Sequence, residues 1–533
     1  MTSTNPTAAP TTRTYDIIGF GDEVPGVLAL VSASREFQRR TQRKPRSLLM
    51  FKGNSRLGIG GHLVRGGLAY LDRSNVPPDV RQAYGLPTFG DPCFLYKEFL
   101  QRSQVQQIAL NPVKADAALR AMLQEADVDI VSQLEIRAVL KDGARIRGIQ
   151  TNRGEIYLAK HFIDSTVNGE LAQLAGVSKL RGFETFGLPE SELPVTLVFE
   201  TEGLTPQRLK EVELSYLKRF ANPADTAAQN FILMSAGKNE RVAEQFRLEM
   251  QESLSKSRLM HIGQDFIDVR SRALSIAFHA FRGRALTLKG SGFILDQANI
   301  AVLAPNRLSW NALMFFTTGS QAEALARGSA RPTPTMLEEI KYLDRWFKSL
   351  GATAVRAYPE LYIRHAGNIT DVVSPLSGAQ MLRGGVSVGE ALGTFGYHLD
   401  VRGGIDGLGP RALGKGISSI SFHHPPLFNI GMQHALVQSV PNLAVVSPGS
   451  GFEGYACAAG RIIEFNAAVG QGLGIAAAIA LQTGRTLASI SNLEVRRVLE
   501  QTKQLSKIYG RAEPVEAARL AKFEDTLNDV AIA

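Results

Sequence analysis

The feature that most constrains the fold is a strand–turn–helix–strand pattern near the start of the chain. Tyr15–Gly21 is an apolar run that predicts a buried strand, and Val27–Arg40 carries apolar residues at helical spacing. Ser47–Phe51 is a second apolar run, which leads into a glycine-rich segment, 53–67. Because such a unit connects two parallel strands by a right-handed crossover, the pattern predicts a βαβ unit and an α/β fold.

The glycine turn between the first strand and the helix departs from the dinucleotide fingerprint. Gly21 and Gly26 stand where a helix N-terminus would offer N–H groups and partial positive charge to a pyrophosphate. The fingerprint Gly-x-Gly-x-x-Gly has a middle glycine that allows close backbone approach, and this chain has Glu23 there. At the end of the second strand, where an acid usually binds ribose, it has Phe51 and Lys52. Taken alone, the unit fits a structural crossover as well as a nucleotide site.

Composition excludes several classes of protein. The 533 residues are 44% hydrophobic and 20% charged, which supports a large core and argues against disorder. No run approaches the ~20 apolar residues of a spanning helix, so we expect no transmembrane segment. Only Cys93 and Cys457 occur, without a CxxC pair, so we expect no metal site and a reducing, cytoplasmic location. Residues 1–14 lack the apolar region of a signal peptide and are expected to form a disordered tail.

The net charge is positive, with 59 Lys and Arg against 50 Asp and Glu, or +9. Six basic residues crowd into 35–46, a density that could contact anionic lipid or nucleic acid. No nucleic-acid motif or aromatic interleaving accompanies them, so we expect no nucleic-acid partner. We favour a solvated helix end, and peripheral membrane contact through 35–46 stays open.

Patterning along the chain predicts a discontinuous organisation. Residues 112–125 predict an amphipathic helix, and the short strands that follow it, separated by turns, predict a β-meander. Between 185 and 355 strands mix with long charged helices, which predicts an inserted α+β substrate domain. We expect the nucleotide-binding domain to comprise 15–184 and 356–490, and a helical C-terminal extension to cover 491–533.

Four segments carry a resemblance to a known family: Ile163–Gly176 (IDSTVNGELAQLAG), Arg56–Gly61 (RLGIGG), Pro441–Gly449 (PNLAVVSPG) and Gly470–Gly474 (GQGLG). In their order and spacing, the chain resembles the FAD-dependent oxidoreductases of the glutathione-reductase-like, two-dinucleotide-fold group. Within it, the chain resembles the branch that carries an Ile-Asp-Ala-Thr-Gly-Asp-Gly-Asp-Leu-Ala segment. The resemblance implies a Rossmann-like FAD-binding domain with an inserted α+β substrate domain, and FAD as the cofactor.

The resemblance also implies a set of cofactor-binding residues. Those at the FAD pyrophosphate, near the flavin and under the dinucleotide would be Gly21, Asp22, Gly26, Gly60, Gly61 and Thr166. Gly470 and Gln471 would begin a helix whose amides point at the flavin, where a helix N-terminus stabilises the charge of reduced flavin. Asn54 or Ser55 could bind the ribose in place of the missing acid, and Glu23 could point outward or be neutralised by Arg56 or Lys52.

Candidate catalytic groups come from the same resemblance. His62 adjoins the flavin-proximal glycines, and its catalytic role competes with a hydrogen bond that stabilises the loop. Arg364 and His398 fall in segments that border the substrate cavity in similar proteins. Arg364 could bind a carboxylate bidentately or form an ordinary salt bridge. The glycine-rich segment 403–416 lacks the P-loop pattern and predicts a mobile loop over the site. Cys457 is expected to pack as a small hydrophobe.

The sequence thus predicts an FAD-dependent oxidoreductase that transfers a hydride between a small organic substrate and flavin N5. The substrate would be lined by 360–370, 395–400 and 423–435. No second dinucleotide motif for NAD(P) is present, so the electron acceptor stays open. The altered fingerprint leaves a second hypothesis, a non-catalytic relative of the fold that binds a lipophilic ligand or a protein partner without FAD.

Overall fold

The structure is a computed structural model that describes residues 11–253, 256–422 and 424–528. The helices of these residues are α1 (Val24–Thr41), α2 (Gly61–Val64), α3 (Pro78–Tyr84), α4 (Phe94–Arg102), α5 (Pro112–Glu125), α6 (Glu170–Leu174), α7 (Pro206–Ala221), α8 (Thr226–Ser235), α9 (Glu240–Glu249), α10 (Ala273–Arg282), α11 (Leu288–Ser291), α12 (Gly319–Arg327), α13 (Pro334–Ser349), α14 (Gly378–Leu382), α15 (Leu408–Gly414), α16 (Ala456–Gly460), α17 (Ile463–Thr483), α18 (Asn492–Gln501) and α19 (Pro514–Leu527).

A five-stranded parallel sheet is built on the predicted βαβ unit. Its spatial order is β23 (Leu443–Val445), β8 (His161–Asp164), β2 (Ile17–Phe20), β3 (Ser47–Phe51) and β4 (Val128–Ser132). The helix α1 connects β2 to β3, and its first turn carries Pro25, whose fixed φ suits a helix start. β2, β3, β8 and β23 are buried along their whole length, as the apolar runs predict for strands covered on both faces. The predicted α/β, Rossmann-like architecture is confirmed for this part of the chain.

A second, four-stranded sheet contains the predicted meander. β5 (Ile136–Asp142), β6 (Arg145–Thr151) and β7 (Ile156–Leu158) run antiparallel, and β1 (Thr12–Thr14) adds to β7 in parallel. The predicted disordered tail is therefore wrong for residues 12–14, because their backbone pairs with β7. Residues 1–10 of that prediction lie outside the described residues.

The inserted segment forms a mostly antiparallel sheet with its own apolar core. Its order is β14 (His261–Ile262), β15 (Phe266–Asp268), β16 (Phe293–Ala304), β17 (Arg307–Phe315), β11 (Phe199–Glu202) and β18 (Ala354–Ala357), with β10 (Val195–Thr196) beside β17. Helices α7 to α10 and α13 contribute to this core around Trp310 and Phe347. Short two-stranded pairs complete the described strands: β12 (Gln251–Ser253) with β13 (Lys256–Ser257), β9 (Lys179–Leu180) with β19 (Asn368–Ile369), β20 (Leu376–Ser377) with β24 (Phe452–Glu453), and β21 (Thr394–Gly396) with β22 (Leu427–Asn429).

The helix α17 packs directly against α1. A Cβ on Gly470 or Gly474 would lie 2.3 Å from the carbonyl oxygen of Pro25 or Ala29, respectively, so these glycines allow the two helices to touch. Because α17 begins at Ile463, the prediction that Gly470 and Gln471 begin a helix is wrong.

The hydropathy of α17 also corrects an expectation. The helix is long and apolar enough, by length and composition, to cross a membrane, although the sequence analysis found no such segment. Its apolar window is entirely buried within the protein, which is typical of a core helix.

The C-terminal helices pack onto the core as well. Glu524 on α19 accepts hydrogen bonds from the N–H groups of Ala379 (3.1 Å) and Tyr455 (2.9 Å), at the starts of α14 and α16. Burial raises the pKa of Glu524 to about 7. The carboxyl group of this side chain therefore holds α19 to two other helices.

Candidate functional site

Gly21 and Gly26 lie where α1 meets the loop after β8. Gly21 has a φ of +95°, and a Cβ on it would lie 2.6 Å from the backbone nitrogen of Thr166. A Cβ on Gly26 would lie 2.1 Å from Oγ of Ser165, and this hydroxyl donates to the Gly21 carbonyl (2.7 Å). The two glycines hold the start of α1 against this loop, at the edge of the sheet where open α/β folds bind dinucleotides.

Thr166 shapes the same loop with Asp164. Its hydroxyl donates to Oδ1 of Asp164 (2.7 Å) and accepts the N–H of Glu170 (2.8 Å), and its own N–H donates to Asp164 (2.9 Å). Burial raises the pKa of Asp164 to about 6, although these hydrogen bonds act in the opposite direction. Thr166 is thus placed as the resemblance implies, within the loop that faces the start of α1.

Two cavities follow this edge of the sheet. One, of about 90 Å³, is lined by the start of α1 and the loop after β8. The other, of about 450 Å³, is lined by the residues that follow β3 and β4, including Asn54 and Gln133. Lys52, Gly53 and Glu360 line both, so the cavities form one cleft from α1 to β4.

The carboxylates of Asp22 and Glu23 turn toward the Gly60–Gly61 turn. Oδ2 of Asp22 accepts the N–H groups of Gly60 (3.0 Å) and Gly61 (3.3 Å), and Oε1 of Glu23 accepts the N–H of His62 (3.1 Å). Oε2 of Glu23 lies 2.6 Å from Nδ1 of His62. Consecutive N–H groups in such a turn form a concavity that binds anions. Here the chain's own two carboxylates occupy it.

Arg65 connects this turn to the segment that follows the inserted domain. It donates to both oxygens of Asp22, and its Nε donates to Glu360 (2.6 Å). Its guanidinium carbon lies 5.2 Å from the ring centroid of Phe51. Burial acts to raise the pKa of Asp22, but Arg65 lowers it below its usual value. For Glu360 burial prevails and raises the pKa to about 7. Phe51 is the platform beneath this arginine.

A buried polar group lies next to Gly61. The ring of His62 stacks on that of Tyr362, with centroids 5.0 Å apart, and Nη1 of Arg461 donates to the Tyr362 hydroxyl (3.1 Å). The guanidinium of Arg364 lies 4.6 Å from the centroid of the Tyr362 ring. All four residues are at most 5% exposed. The structure brings His62 and Arg364 together at Tyr362.

Arg461 belongs to this group and was missed by the sequence analysis. It precedes α17 in a run of small and apolar residues, Ala456–Ile463, that contains no motif. A lone arginine in such a run was the available indication, since charged residues are almost never fully buried without a partner.

Arg364 forms no salt bridge with the described residues, so the ordinary salt bridge that the sequence analysis left open is excluded there. Its Nη atoms donate to the Pro194 carbonyl (2.7 Å), the Thr196 hydroxyl (2.7 Å) and the Asn311 amide oxygen (3.2 Å), all of them neutral. Among the described residues no carboxylate lies within 4 Å of it, and burial lowers its pKa to about 9.

His365 is a second buried residue that the sequence analysis did not select. Its Nδ1 lies 2.8 Å from Glu192, and its Nε2 lies 2.7 Å from Oδ1 of Asn368. The Asn368 amide donates to the carbonyls of Pro448 and Ser450, which fixes its oxygen toward the ring. Both ring nitrogens therefore donate, and Glu192 raises the pKa of His365 although burial opposes this.

Other predicted site residues lie apart from this group. Arg56 is exposed, and Asn54, whose side chain accepts its N–H (3.0 Å), lines the larger cavity. His398 is exposed, with Nε2 3.0 Å from the Asn75 amide, so the structure does not bring it to His62. Gln471 accepts the N–H of Leu95 (2.9 Å) inside the core. Residue 423 of the predicted substrate lining lies outside the described residues.

The basic stretch 35–46 is partly neutralised. Arg35 pairs bidentately with Glu98 (2.6 and 2.9 Å), and Arg39 and Arg40 both pair with Glu36. Membrane contact through this stretch stays a prediction.

Cys457 is buried, as expected of a cysteine that packs as a small hydrophobe. Cys93 and Cys457 are free thiols with 5% and 2% exposure, and burial raises the pKa of Cys93 to about 12. Within 11–253, 256–422 and 424–528, no group of three or more His, Cys, Asp or Glu side chains could hold a metal ion.

The sequence model of one family, described as FAD dependent oxidoreductase, matches residues 59–499, more than four-fifths of the chain. The chain belongs to the FAD-dependent oxidoreductase family. FAD is the cofactor of this family, and the chain is placed with flavoprotein enzymes. The match begins at Ile59, so the segment with Glu23 and Phe51 lies outside it.

Solved structures are similar to this oxidoreductase only at a distance. A geranylgeranyl bacteriochlorophyll reductase-like protein from Thermoplasma acidophilum is 10% identical, with 97% of this chain and 90% of that chain covered and a TM-score of 0.34. PqsL of P. aeruginosa, in complex with 2-aminobenzoylacetate, is 11% identical, with 97% of each chain covered and a TM-score of 0.34. At these scores no conclusion about the reaction follows. No curated protein matches the sequence.

The cleft fits the ADP half of FAD. The N–H groups of Glu23 and Val24, at the start of the long helix α1, donate to no described residue, and Glu23 lines the smaller cavity. Lys52 and Arg65 bring cations to the same cavity, although Lys52 pairs with Glu170 (2.6 Å). The phosphates would also meet the carboxylates of Asp22 and Glu23, and Glu23 is the residue that replaces the middle glycine of the fingerprint.

Proposed function

We propose that this FAD-dependent oxidoreductase, a member of the glutathione-reductase-like branch, transfers a hydride between a small organic substrate and flavin N5. One observation carries the proposal. Glu23, at the start of the dinucleotide cleft, contacts His62, which stacks on Tyr362 beside two arginines. The cleft that fits a nucleotide thus adjoins a buried polar group that suits substrate chemistry. Bound FAD would supply the two-electron hydride chemistry that amino acid side chains lack.

The chain's own residues bind the cofactor and organise its surroundings. The free N–H groups at the start of α1 would hold the phosphates, and Asn54 would reach the ribose from the larger cavity. Lys52 and Arg65 offset part of the negative charge of Asp22, Glu23 and the phosphates.

His62 is the residue best placed to hold a proton. Its Nδ1 lies 2.6 Å from Oε2 of Glu23 without hydrogen-bond geometry, and neither ring nitrogen has a hydrogen-bond partner among the described residues. At 4% exposure, the ring is shielded from bulk water, so a proton on it is exchanged with a bound molecule or with Glu23.

The hydride step can be tested before the substrate is identified. FAD-loaded protein is mixed anaerobically with a panel of hydroxy acids, amines and alcohols, each with hydrogen or deuterium on the reacting carbon. The proposal predicts that one class bleaches the flavin band near about 450 nm, more slowly with deuterium. If only one-electron reductants bleach the band, the hydride proposal fails.

A further inference from the structure

Two buried guanidinium groups in this protein form no salt bridge within the described part of the chain. No carboxylate of the described residues lies within 4 Å of Arg364 or Arg461, which are 1% and 5% exposed. Other arginines of low exposure are paired: Arg65 with Asp22 and Glu360, and Arg73 with Glu464 (2.7 Å). An unpaired charge in the interior costs several kcal/mol, so proteins rarely keep one without a use for it.

Both groups also have a hydrogen-bond donor to spare. The buried Nε of Arg364 and the buried Nε of Arg461 make no hydrogen bond. The two side chains are joined through Tyr362, since Arg461 donates to its hydroxyl and Arg364 lies against its ring. Two carboxylates act on the pair from more than 4 Å away: Asp296, which pairs with Arg402 (2.8 Å), acts on Arg364, and Asp72 acts on Arg461. The region thus has two positive charges and two free donors around one aromatic ring.

We propose that Arg364 and Arg461 bind a carboxylate group of the substrate beside Tyr362. This inference rests on the proposed function, and it names the class of substrate as an organic acid. A guanidinium binds the two oxygens of a carboxylate through parallel N–H groups, and the aromatic surroundings suit the carbon skeleton that carries it. The carboxylate of the substrate would contact these two arginines in the way that carboxylates of the chain contact Arg65 and Arg73.

A run of ring contacts connects this place to the surface. The guanidinium carbon of Arg461 lies 6.0 Å from the centroid of the half-buried Tyr397 ring, which contacts the exposed ring of His398. Tyr397 is therefore the side chain that separates Arg461 from the surface here. His398 would thus lie at the entrance, outside the buried group.

The test measures binding of a carboxylate and of its neutral isostere. Benzoate and benzamide are titrated into the full-length protein by calorimetry at fixed ionic strength, with inorganic phosphate as a third probe. Arg364→Met and Arg461→Met remove each charge at similar side-chain volume. Arg364→Lys keeps the positive charge but lacks the planar guanidinium group, and it replaces Arg364→Met in the test if that variant does not fold. Arg282→Met, which breaks a pair with Glu339 (2.8 Å) in the inserted segment, is the matched control.

We expect benzoate to bind and benzamide and phosphate to bind at least 10-fold more weakly. Each variant at 364 or 461 should weaken benzoate at least 10-fold, and Arg282→Met should not. In the absence of probe, Arg282→Met should lower the melting temperature because it leaves Glu339 unpaired, whereas Arg364→Met removes a buried charge but also the donor of three buried hydrogen bonds, so its melting temperature reports only that the variant folds.

Several results overturn the proposal: no benzoate binding, equal binding of benzamide or phosphate, or variants at 364 and 461 that bind benzoate as the original protein does. A lower melting temperature of Arg364→Met with unchanged benzoate affinity would assign the arginine to structure alone. The flavin absorbance of the same samples separates this proposal from the proposed function. Protein that holds FAD but not benzoate refutes only the carboxylate site.

Discussion

Replacement of Glu23 by glycine should tighten the binding of FAD. The carboxylate stands at the middle position of the fingerprint, faces the cavity at the start of α1, and is only 7% exposed. Two unit charges at about 4 Å interact by about 1 kcal/mol in water and by about 4 kcal/mol at the effective dielectric constant of a protein surface. The repulsion therefore corresponds to a loss of affinity between about 5-fold and nearly 1,000-fold.

The structure narrows the expected change in FAD affinity. Because Glu23 is buried, the larger repulsion applies, but its carboxylate also accepts the N–H of His62 (3.1 Å). Glu23→Gly leaves the N–H of His62 without a partner, which costs about 1–3 kcal/mol in the protein without FAD. A phosphate oxygen of bound FAD can accept this N–H and remove the cost. Both effects favour the bound state, so we expect the dissociation constant of FAD to fall at least 10-fold.

The assay is a titration of flavin-stripped protein with FAD, followed by flavin fluorescence at fixed ionic strength. Glu23→Gln separates charge from size, and it should recover most of the gain if charge is the cause. Glu244→Gln, on the exposed face of α9, changes the net charge equally and should leave the affinity unchanged. Unchanged or weaker affinity in both Glu23 variants would refute the reasoning.

Three further predictions concern the core. Gly474→Ala places a methyl group against a carbonyl of α1 and should lower the free energy of unfolding by about 1–3 kcal/mol. Gly409→Ala is the control, because a Cβ at this position would have no neighbouring atom within 4 Å, and it should change the free energy of unfolding little. Urea unfolding measures both variants. The pKa of Glu524 is raised from 4.5 to about 7, so the protonated carboxyl group favours the folded state. This group therefore contributes about 3 kcal/mol to the free energy of unfolding at low pH. That contribution should be lost as the pH rises from about 4.5 to 7. Glu524→Gln should flatten that part of the stability curve, and an unchanged slope would exclude this carboxyl group. Both thiols should resist a thiol reagent at pH 8 until the protein unfolds, and fast labelling of the native protein would contradict their burial.

The local part of the fold was predictable because it depends on short apolar runs. The buried strands β2 and β3, the helix α5 and the meander follow from runs and turns of at most about 14 residues. The start of α17 was misjudged because its glycines resemble a helix start in sequence. Their actual constraint is contact with α1, more than 400 residues earlier, which no local pattern contains.

The site was predictable in part, and the limit has a physical cause. Gly21 and Gly26 could be expected at the start of α1 because the turn between β2 and α1 is local, whereas Thr166 was selected only from the resemblance. The sequence showed that Glu23 departs from the fingerprint, but not that its carboxylate would bind the N–H of His62, 39 residues later. Arg461 and Arg364 meet at Tyr362 only through tertiary folding, and an arginine without a salt bridge cannot be recognised from sequence.

The most direct test of the account is the absorbance spectrum of the purified protein between about 350 and 500 nm, followed by release and chromatography of the chromophore. The account predicts a flavin band near about 450 nm, in the protein as purified or after incubation with FAD, and a released compound that elutes as FAD. A colourless protein that acquires no band with excess FAD would contradict it and would favour a relative of this family that binds another ligand.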